Sequence, residues 1–500
     1  MNTPLRRVGL AMLAMVALLL ANATYIQVVD ADDYRSDPRN QRVLLDEYAR
    51  ERGQIVSQFG GKILANSKPA KGRFQYLRRY PDGQMYAPVT GYYSWRYGSG
   101  GIERAENDIL AGNDSRLLVR RLSDMFTGRD PRGGHVQLTI NPKAQQAAFE
   151  AMRDKGHRGA VVALRPDTGE ILAMVSTPSY DPNLLASHDG RKQERAWFRW
   201  NCDPDNDKGC KQHHNPMRNR AIQEFYPPGS TFKLVVAAAA LENGANKDTR
   251  VESAASVQLP GTETDLENFA GSPCPGSTLE VALANSCNTA FAKLAGDLGA
   301  EQLRETAANF GIGMDDLEIP MGVEPSGLGE LGSLPELYQS GIGQRDVRLT
   351  PLQDALLSAT VANRGMAMRP QLVKELLAPD LSTLEDFEPE ELTGDAALSE
   401  SNADVLRDMM VESEQNTQGS DQFPDLKIAS KTGTAEHGEN PKQTPPHAWY
   451  TAFAPYDNPQ IAVAVIVESG GQRGDLAATG GALASEIGRL TMAAALEGDQ

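Results

Sequence analysis

The first apolar run in the chain is Val8 to Ala21, and Tyr25, Ile26 and Val28 extend it. Val8 to Val29 is long enough to cross a bilayer as one helix, although Asn22, Thr24 and Gln27 weaken its outer end. Arg6 and Arg7 precede it, and positive flanks stay cytoplasmic, so the chain beyond the run is expected outside the cell membrane. Ala21-Asn22-Ala23 also resembles a signal-peptidase site, which leaves cleaved signal and single-pass anchor both open. Either reading exports residues 30–500. Residues 30–135 are polar, rich in Arg, Tyr and Gly, and only weakly periodic. They read as short strands, turns and an extended stalk with no catalytic constellation.

The pattern changes near His135. Val136 to Ile140 alternates as a strand does, and a helix comes next from Pro142 with Ala147, Ala148, Ala151 and Met152 on one face. Gly159–Leu164 and Glu170–Val175 are apolar β-type runs around Arg165-Pro166-Asp167-Thr168-Gly169, a hairpin with a short loop. Lys427–Thr432, Ala448–Ala454 and Ile461–Glu468 are three further strands, and Ala482–Ala495 closes as an amphipathic helix. The stretch from Thr231 to about Gln415 is helix-rich, and the acidic Glu385–Glu391 reads as a solvated loop. Strands from both ends with helices between them predict an α+β domain: a central antiparallel sheet flanked by helices, with a mostly helical insertion. Three regions are expected: residues 1–29 as cytoplasmic stub and transmembrane anchor, 30–135 as an N-terminal pedestal, and 136–495 as the catalytic domain.

Charge removes one class of function. The net charge is −17, whereas nucleic-acid binding needs clustered Lys and Arg. Export changes the meaning of the four cysteines, which can pair in an oxidising compartment. The most local pairing is Cys202–Cys210 with Cys274–Cys287; free buried thiols are the alternative. A Cys274–Cys287 loop would add about 3 kcal/mol. Cys202, Cys210, His213 and His214 do not have a standard zinc spacing. Asp203, Asp205 and Asp207 fail as a calcium loop, because Lys208 and His214 stand where Gly and Glu are needed. No metal and no cofactor is implied.

Three short segments carry candidate chemistry. In Pro227-Pro228-Gly229-Ser230-Thr231-Phe232-Lys233 a turn enters an Ala-rich run ending near Gly244. Ser230 and Lys233, three apart, share a helix face. A serine hydroxyl needs a base, and a neutral lysine can serve. Lowering a lysine pKa from about 10.4 to about 7 takes roughly 4.6 kcal/mol. Burial, a helix terminus and a second cation can supply it. Ser286-Cys287-Asn288 interrupts the helical pattern Leu279–Leu294 with a hydroxyl for proton relay and an amide for a substrate carbonyl. Lys431-Thr432-Gly433-Thr434 ends a β run: Lys431 and Thr432 suit a carboxylate, Gly433 permits close backbone approach, and the edge suits strand addition by a peptide. Each segment alone also reads as an ordinary cap, turn or strand end.

In this order the three resemble the penicillin-recognising serine acyl-transferases, with Cys287 where the family's middle motif has Asp. The hairpin at 159–175, Asn219-Arg220-Ala221, Gly341-Ile342-Gly343-Gln344 and Leu349-Thr350-Pro351-Leu352-Gln353 are similar too. Arg52-Gly53-Gln54-Ile55 resembles the start of the class B penicillin-binding protein pedestal, although Ser57-Gln58 replaces its usual Asp-Arg continuation. The resemblance covers most of residues 1–490. It implies a β-lactamase/transpeptidase-like fold and a peptidoglycan D,D-transpeptidase. Ser230, Lys233 and Ser286 would be catalytic; Asn288, Lys431, Thr432, Gly433 and Thr434 would bind substrate. The backbone N–H groups of Ser230 and Thr434 would form the oxyanion hole. Implied partners are stem peptides, β-lactams and a polytopic membrane glycan polymerase. A serine β-lactamase, a D,D-carboxypeptidase and a penicillin-binding sensor share the same motifs.

Overall fold

The computed structural model describes residues 2–28, 47–117, 132–201, 215–438 and 440–497. Helix α1 (Asn2–Val28) contains a 21-residue segment, Arg6–Ile26, apolar and long enough to cross a membrane, with none of it buried against the protein.

Residues 47–117 contain the short strands and turns expected of them, but these join a sheet rather than extend as a stalk. Strands β1 (Ile55–Ser57), β2 (Ile63–Pro69) and β3 (Tyr76–Arg79) build half of a six-stranded sheet. β1 pairs in parallel with β4 (His135–Leu138), which straddles the expected boundary at 135/136. The core here is apolar, with Ile55, Leu64, Val89, Ile102, Ile109 and Leu110 buried, and it encloses one ionic cluster. Glu103 is fully buried between two arginines, Arg52 Nε and Arg78 Nε each donating to it at 2.6 Å, and Tyr80 Oη donates at 3.0 Å. Burial pushes the Glu103 carboxyl up, but Arg78 and Arg52 outweigh it and hold it below its ordinary value. Gly53 must be glycine because a Cβ there would sit 1.6 Å from the Gly134 carbonyl oxygen.

After β4, helix α2 (Pro142–Asp154) starts where Asn141 accepts from the Lys143 and Ala144 amides, with Pro142 in the first turn. The expected hairpin comes next as β5 (Gly159–Leu164) and β6 (Ile171–Thr177). Helix α3 (Lys233–Glu242) is buried along almost its whole length; α4 (Leu279–Ala284) and α5 (Asn288–Asn309) flank the break at Ser286. Thr350 caps α6 (Pro351–Ala362), accepting from Gln353 N at 3.2 Å. β7 (Val373–Leu377) and β8 (Thr383–Asp386) leave the helical region to complete the first sheet, in the order β8-β7-β4-β1-β2-β3. The predicted loop at 385–391 thus begins as strand.

Helix α7 (Glu400–Gln415) precedes the last three strands, β9 (Ala429–Ala435), β10 (His447–Ala454) and β11 (Ile461–Val467). β9 begins two residues later than predicted, because Lys427 adopts φ +51° and finishes a turn. The closing helix splits at Ala484, leaving α8 (Ser485–Leu496). The central sheet is fully antiparallel in the order β9-β10-β11-β5-β6. β5 and β11, in its middle, are apolar on both faces because helices cover both. Ala160, Val162 and Leu164 join the core containing α3 and α6; Val161 and Ala163 join the one under α2 and α8.

One buried network fastens β9 to these helices. Glu414 of α7 accepts from Arg489 Nε of α8 at 2.8 Å, from the Ser430 hydroxyl and from Tyr450 Oη at 3.1 Å. Arg489 Nη1 also donates to the Gln418 carbonyl at 2.9 Å. Removing one partner of a buried pair strands the other charge, at a cost of about 3–5 kcal/mol. Glu414→Gln should therefore lower the melting temperature clearly, and adding Arg489→Met should recover much of the loss. Thermal unfolding of the two variants checks this; an unchanged midpoint in Glu414→Gln would remove the network from the account of how β9 is held.

Candidate active site

Residues 227–233 fold as two turns of different pitch. Gly229–Phe232 is a 3-10 turn, and α3 starts only at Lys233. With three residues per turn, side chains at i and i+3 align, so Ser230 and Lys233 share a side more directly than on the α-helix expected from the sequence. Gly229 has φ +55°, and a Cβ there would lie 2.5 Å from the Thr434 carbonyl oxygen. Gly229 N donates to Gly343 O at 2.9 Å, and Trp449 Nε1 donates to Pro227 O at 3.0 Å. The nucleophile turn is thus wedged between β9 and the Gly341–Gln344 loop.

Lys233 is fully buried, and its amine reaches across to the middle segment. Nζ lies 2.7 Å from Ser286 O, 2.8 Å from Asn288 Oδ1 and 3.4 Å from Ser286 Oγ. Ser286 has φ +57°, a strained conformation for a residue with a side chain, and it points its hydroxyl at both lysines. Lys431 Nζ donates to Ser286 Oγ at 2.9 Å and to Thr432 O at 2.9 Å. Burial, then the charge of Lys431, pushes the Lys233 amine well below its ordinary value. Burial alone pushes Lys431 down to about 7. A neutral Lys233 can accept a proton, and the Ser286 hydroxyl bridges it to Lys431. Among the described residues Ser230 Oγ has no hydrogen-bond partner; such contacts are often loose before substrate arrives.

The middle segment is held from behind. Cys287 is disulfide-bonded to Cys274, with Cα atoms 5.7 Å apart. Asn288 Nδ2 donates to Glu267 O at 2.9 Å, and Thr289 N donates to Asn268 Oδ1 at 3.0 Å. Cys274 and its neighbours thus back the wall that carries Ser286 and Asn288. Cys202–Cys210 and the residues weighed for zinc and calcium lie outside the described residues.

Thr432 and Thr434 are half-buried along β9, which is an edge strand. Because Thr434 O faces Gly229, the N–H of the same residue faces that free edge too. Gly433 was expected to let a substrate approach the backbone closely; on its Cα side it faces protein, where a Cβ would meet Pro228 O at 2.8 Å and Thr231 Cγ2 and Trp449 Cβ at 3.0 Å. The glycine lets strand and nucleophile turn close on each other. The structure therefore gathers Ser230, Lys233, Ser286, Asn288 and Lys431–Thr434 into one site. Sequence reading missed its supports: Glu267, Asn268 and the Glu414–Arg489 pair, none of which has a local signal. Gln344 ends the Gly341-Ile342-Gly343-Gln344 segment; in the orientation that satisfies its amide, it pairs with Glu436 N and O at 3.1 and 3.2 Å.

Comparison with known proteins agrees with this geometry. Residues 159–493 match the penicillin binding protein transpeptidase domain, and residues 52–136 match the penicillin binding protein A dimerisation domain. The chain is 54% identical over 502 residues to the peptidoglycan D,D-transpeptidase PbpA of Mycolicibacterium smegmatis, covering 99% of each. It is 50% identical over 508 residues to PbpA of Mycobacterium tuberculosis, covering 100% of each. Penicillin-binding protein A from M. tuberculosis, solved as a ceftriaxone acyl-enzyme, is similar with a TM-score of 0.86 and 49% identity over 90% of this chain and 100% of that one. Its penicillin G acyl-enzyme gives 0.84 and 49%, over 89% and 100%. The chain belongs to the penicillin-binding protein transpeptidase family.

Proposed function

We propose that this protein is a serine D,D-transpeptidase that cross-links peptidoglycan stem peptides and is acylated by β-lactams. The observation that carries the reading is the buried Lys233–Ser286–Lys431 cluster beside Ser230. Neutral Lys233 takes the Ser230 proton as Oγ attacks the carbonyl between the last two D-alanines. The Ser230 and Thr434 N–H groups bind the oxyanion; such a donor is typically worth about 100- to 1000-fold in rate. The proton passes through Ser286 to the leaving D-alanine nitrogen, and the C–N bond breaks. An amine of a second stem peptide then attacks the ester, returns Ser230 and forms the cross-link. Asn288 has a second amide N–H, beyond the one given to Glu267, for the donor peptide. Lys431 and Thr432 take the terminal carboxylate.

The N-terminal helix supports a single-pass anchor with the catalytic domain extracytoplasmic. Residues 1–29, 30–135 and 136–495 then act as anchor, pedestal and catalytic domain, although strands of the last two share a sheet. A polytopic glycan polymerase would supply the strands to be cross-linked.

Ser230→Ala should abolish covalent labelling by a fluorescent penicillin without moving the melting temperature; persistent labelling would place the nucleophile elsewhere. In the wild type, a penicilloyl adduct that turns over within seconds would instead indicate a β-lactamase. The pH dependence of the second-order acylation rate tests the lysines. The rate should rise with pH as Lys233 loses its proton, at a pH well below an ordinary lysine's. It should fall again above about 7 as Lys431 loses the charge that holds the carboxylate. Lys431→Arg keeps the cation at every pH, so the alkaline fall should vanish. An alkaline limb unchanged in that variant would assign it to another group.

A further inference from the structure

Away from the active site, one helix differs from the rest of the chain in its charge. Gly190–Trp200 carries Arg191, Lys192, Arg195 and Arg199 against a single carboxylate, Glu194, in a protein whose net charge is −17. Gln193, Ala196 and Trp200 form its buried side. Gln193 Oε1 accepts from Ser94 Oγ at 2.7 Å, and Trp197 stacks on Tyr97 with ring centroids 4.4 Å apart. At 3.6 residues per turn the opposite side gathers Arg191, Lys192, Arg195, Phe198 and Arg199, all exposed. Glu194 is paired with Arg96 at 3.2 Å, and Asp189 caps the helix by accepting from Arg191 N at 2.9 Å. The four cations have no carboxylate partner among the described residues, and Phe198 leaves 63% of its surface to water. Like charges four apart on a helix repel, and an exposed ring gains nothing in water, so this side adds nothing to the stability of the fold.

The helix lies where the chain arrives from α1. Residues 29–46 join α1 to Glu47 and Tyr48. The Tyr48 ring stacks on Tyr93 at 4.9 Å and packs against Phe74 at 4.7 Å and His188 at 6.2 Å. His188 just precedes the helix. A Cβ on Gly190, the helix's first residue, would lie 3.1 Å from the Trp95 ring, which is itself 5.9 Å from Phe74. This aromatic cluster fixes the helix beside the point where the N-terminal segment joins the body. Arg79, exposed at the end of β3 and also without a carboxylate partner among the described residues, shares a cleft of about 390 Å³ with His188 and Asp189 and extends the basic face beyond the helix.

We propose that this face is a second membrane contact, its cations lying on the anionic headgroups of a phospholipid bilayer and Phe198 inserting among them. The inference rests on the reading of α1 as an anchor that stays with the chain. Each Lys or Arg near an anionic lipid surface strengthens association about fivefold. A helix with a basic side and an exposed aromatic ring suits the plane of the interface. Once α1 is in the bilayer the helix meets the surface intramolecularly, so a contact too weak to recruit a separate protein suffices.

The test uses the full chain in nanodiscs holding one copy each, made of phosphatidylcholine alone or mixed with phosphatidylglycerol. Amide hydrogen exchange across residues 190–200 is followed by mass spectrometry, and benzylpenicillin acylation is measured alongside. Exchange should be about tenfold slower, or more, in the anionic discs. The difference should vanish in about 1 M salt, where charges are screened within about 3 Å. Arg191→Glu combined with Lys192→Glu and Arg195→Glu should erase it, and Phe198→Ser should reduce it. Penicillin acylation within about twofold of wild type shows that the variants fold. Equal exchange in the two kinds of disc, or a slowing that the triple variant keeps, overturns the contact while leaving the anchor in place. So does a slowing that appears in detergent and grows with protein concentration, which assigns the face to a second copy of the chain. A chain that separates from both kinds of disc overturns the anchor reading, and the contact with it.

Discussion

A lysine is useful as a base near neutral pH only if its cation is made costly, and the surroundings of Lys233 are arranged around that cost. Its helix lies among apolar side chains on nearly every side, so water cannot solvate the ammonium. A second buried lysine shares the Ser286 hydroxyl with it and adds repulsion. A single buried amine could escape by rotating toward solvent; here Ser286 O, Asn288 Oδ1 and Ser286 Oγ keep it pointed inward. The strained backbone at Ser286 is part of the same arrangement, since that conformation brings its carbonyl and hydroxyl to face the lysines.

Such a cluster has to be braced from outside, because three separate chain segments meet in it. The middle segment is tied by the Cys274–Cys287 disulfide and by acceptors at Glu267 and Asn268. β9 is tied by Glu414 and Arg489 through Ser430, the residue before Lys431. Neighbours along a strand point to opposite faces, so a polar anchor on the back can fix a lysine on the front without entering the site. The nucleophile turn is set by close approach: Gly229, Gly343 and Gly433 each leave room for another backbone where a methyl group would not fit.

Residues 52–136, which match the dimerisation domain, obey different physics. Their core encloses Glu103 held between Arg52 and Arg78, and their sheet continues into strands that come from the catalytic region. The segments matched by the dimerisation and transpeptidase domains are thereby joined by hydrogen-bonded strands, a stiffer connection than a flexible linker.

Much of this was legible in the sequence. Apolar runs at 159–175 and 447–467 announced a sheet buried on both faces, because only covered strands can be apolar at every position. Three spaced motifs announced the reactive groups, since a nucleophile, its base and a carboxylate-binding lysine are particular residue types at short local spacings. The fold of residues 47–117 was not legible, because strands of 3, 7 and 4 residues are too short to set up a clear hydrophobic period. Nor was the role of Gly433, whose neighbours Pro228 and Thr231 lie some two hundred residues away in the chain. The sequence by itself determined which groups could react, because chemistry resides in side chains. Only the tertiary structure decided that Lys233 would be buried beside Lys431, its amine pushed well below the ordinary lysine value, and that Gln344 would pair with the edge of β9. Burial, strand edges and distances between remote residues exist only once the chain has folded.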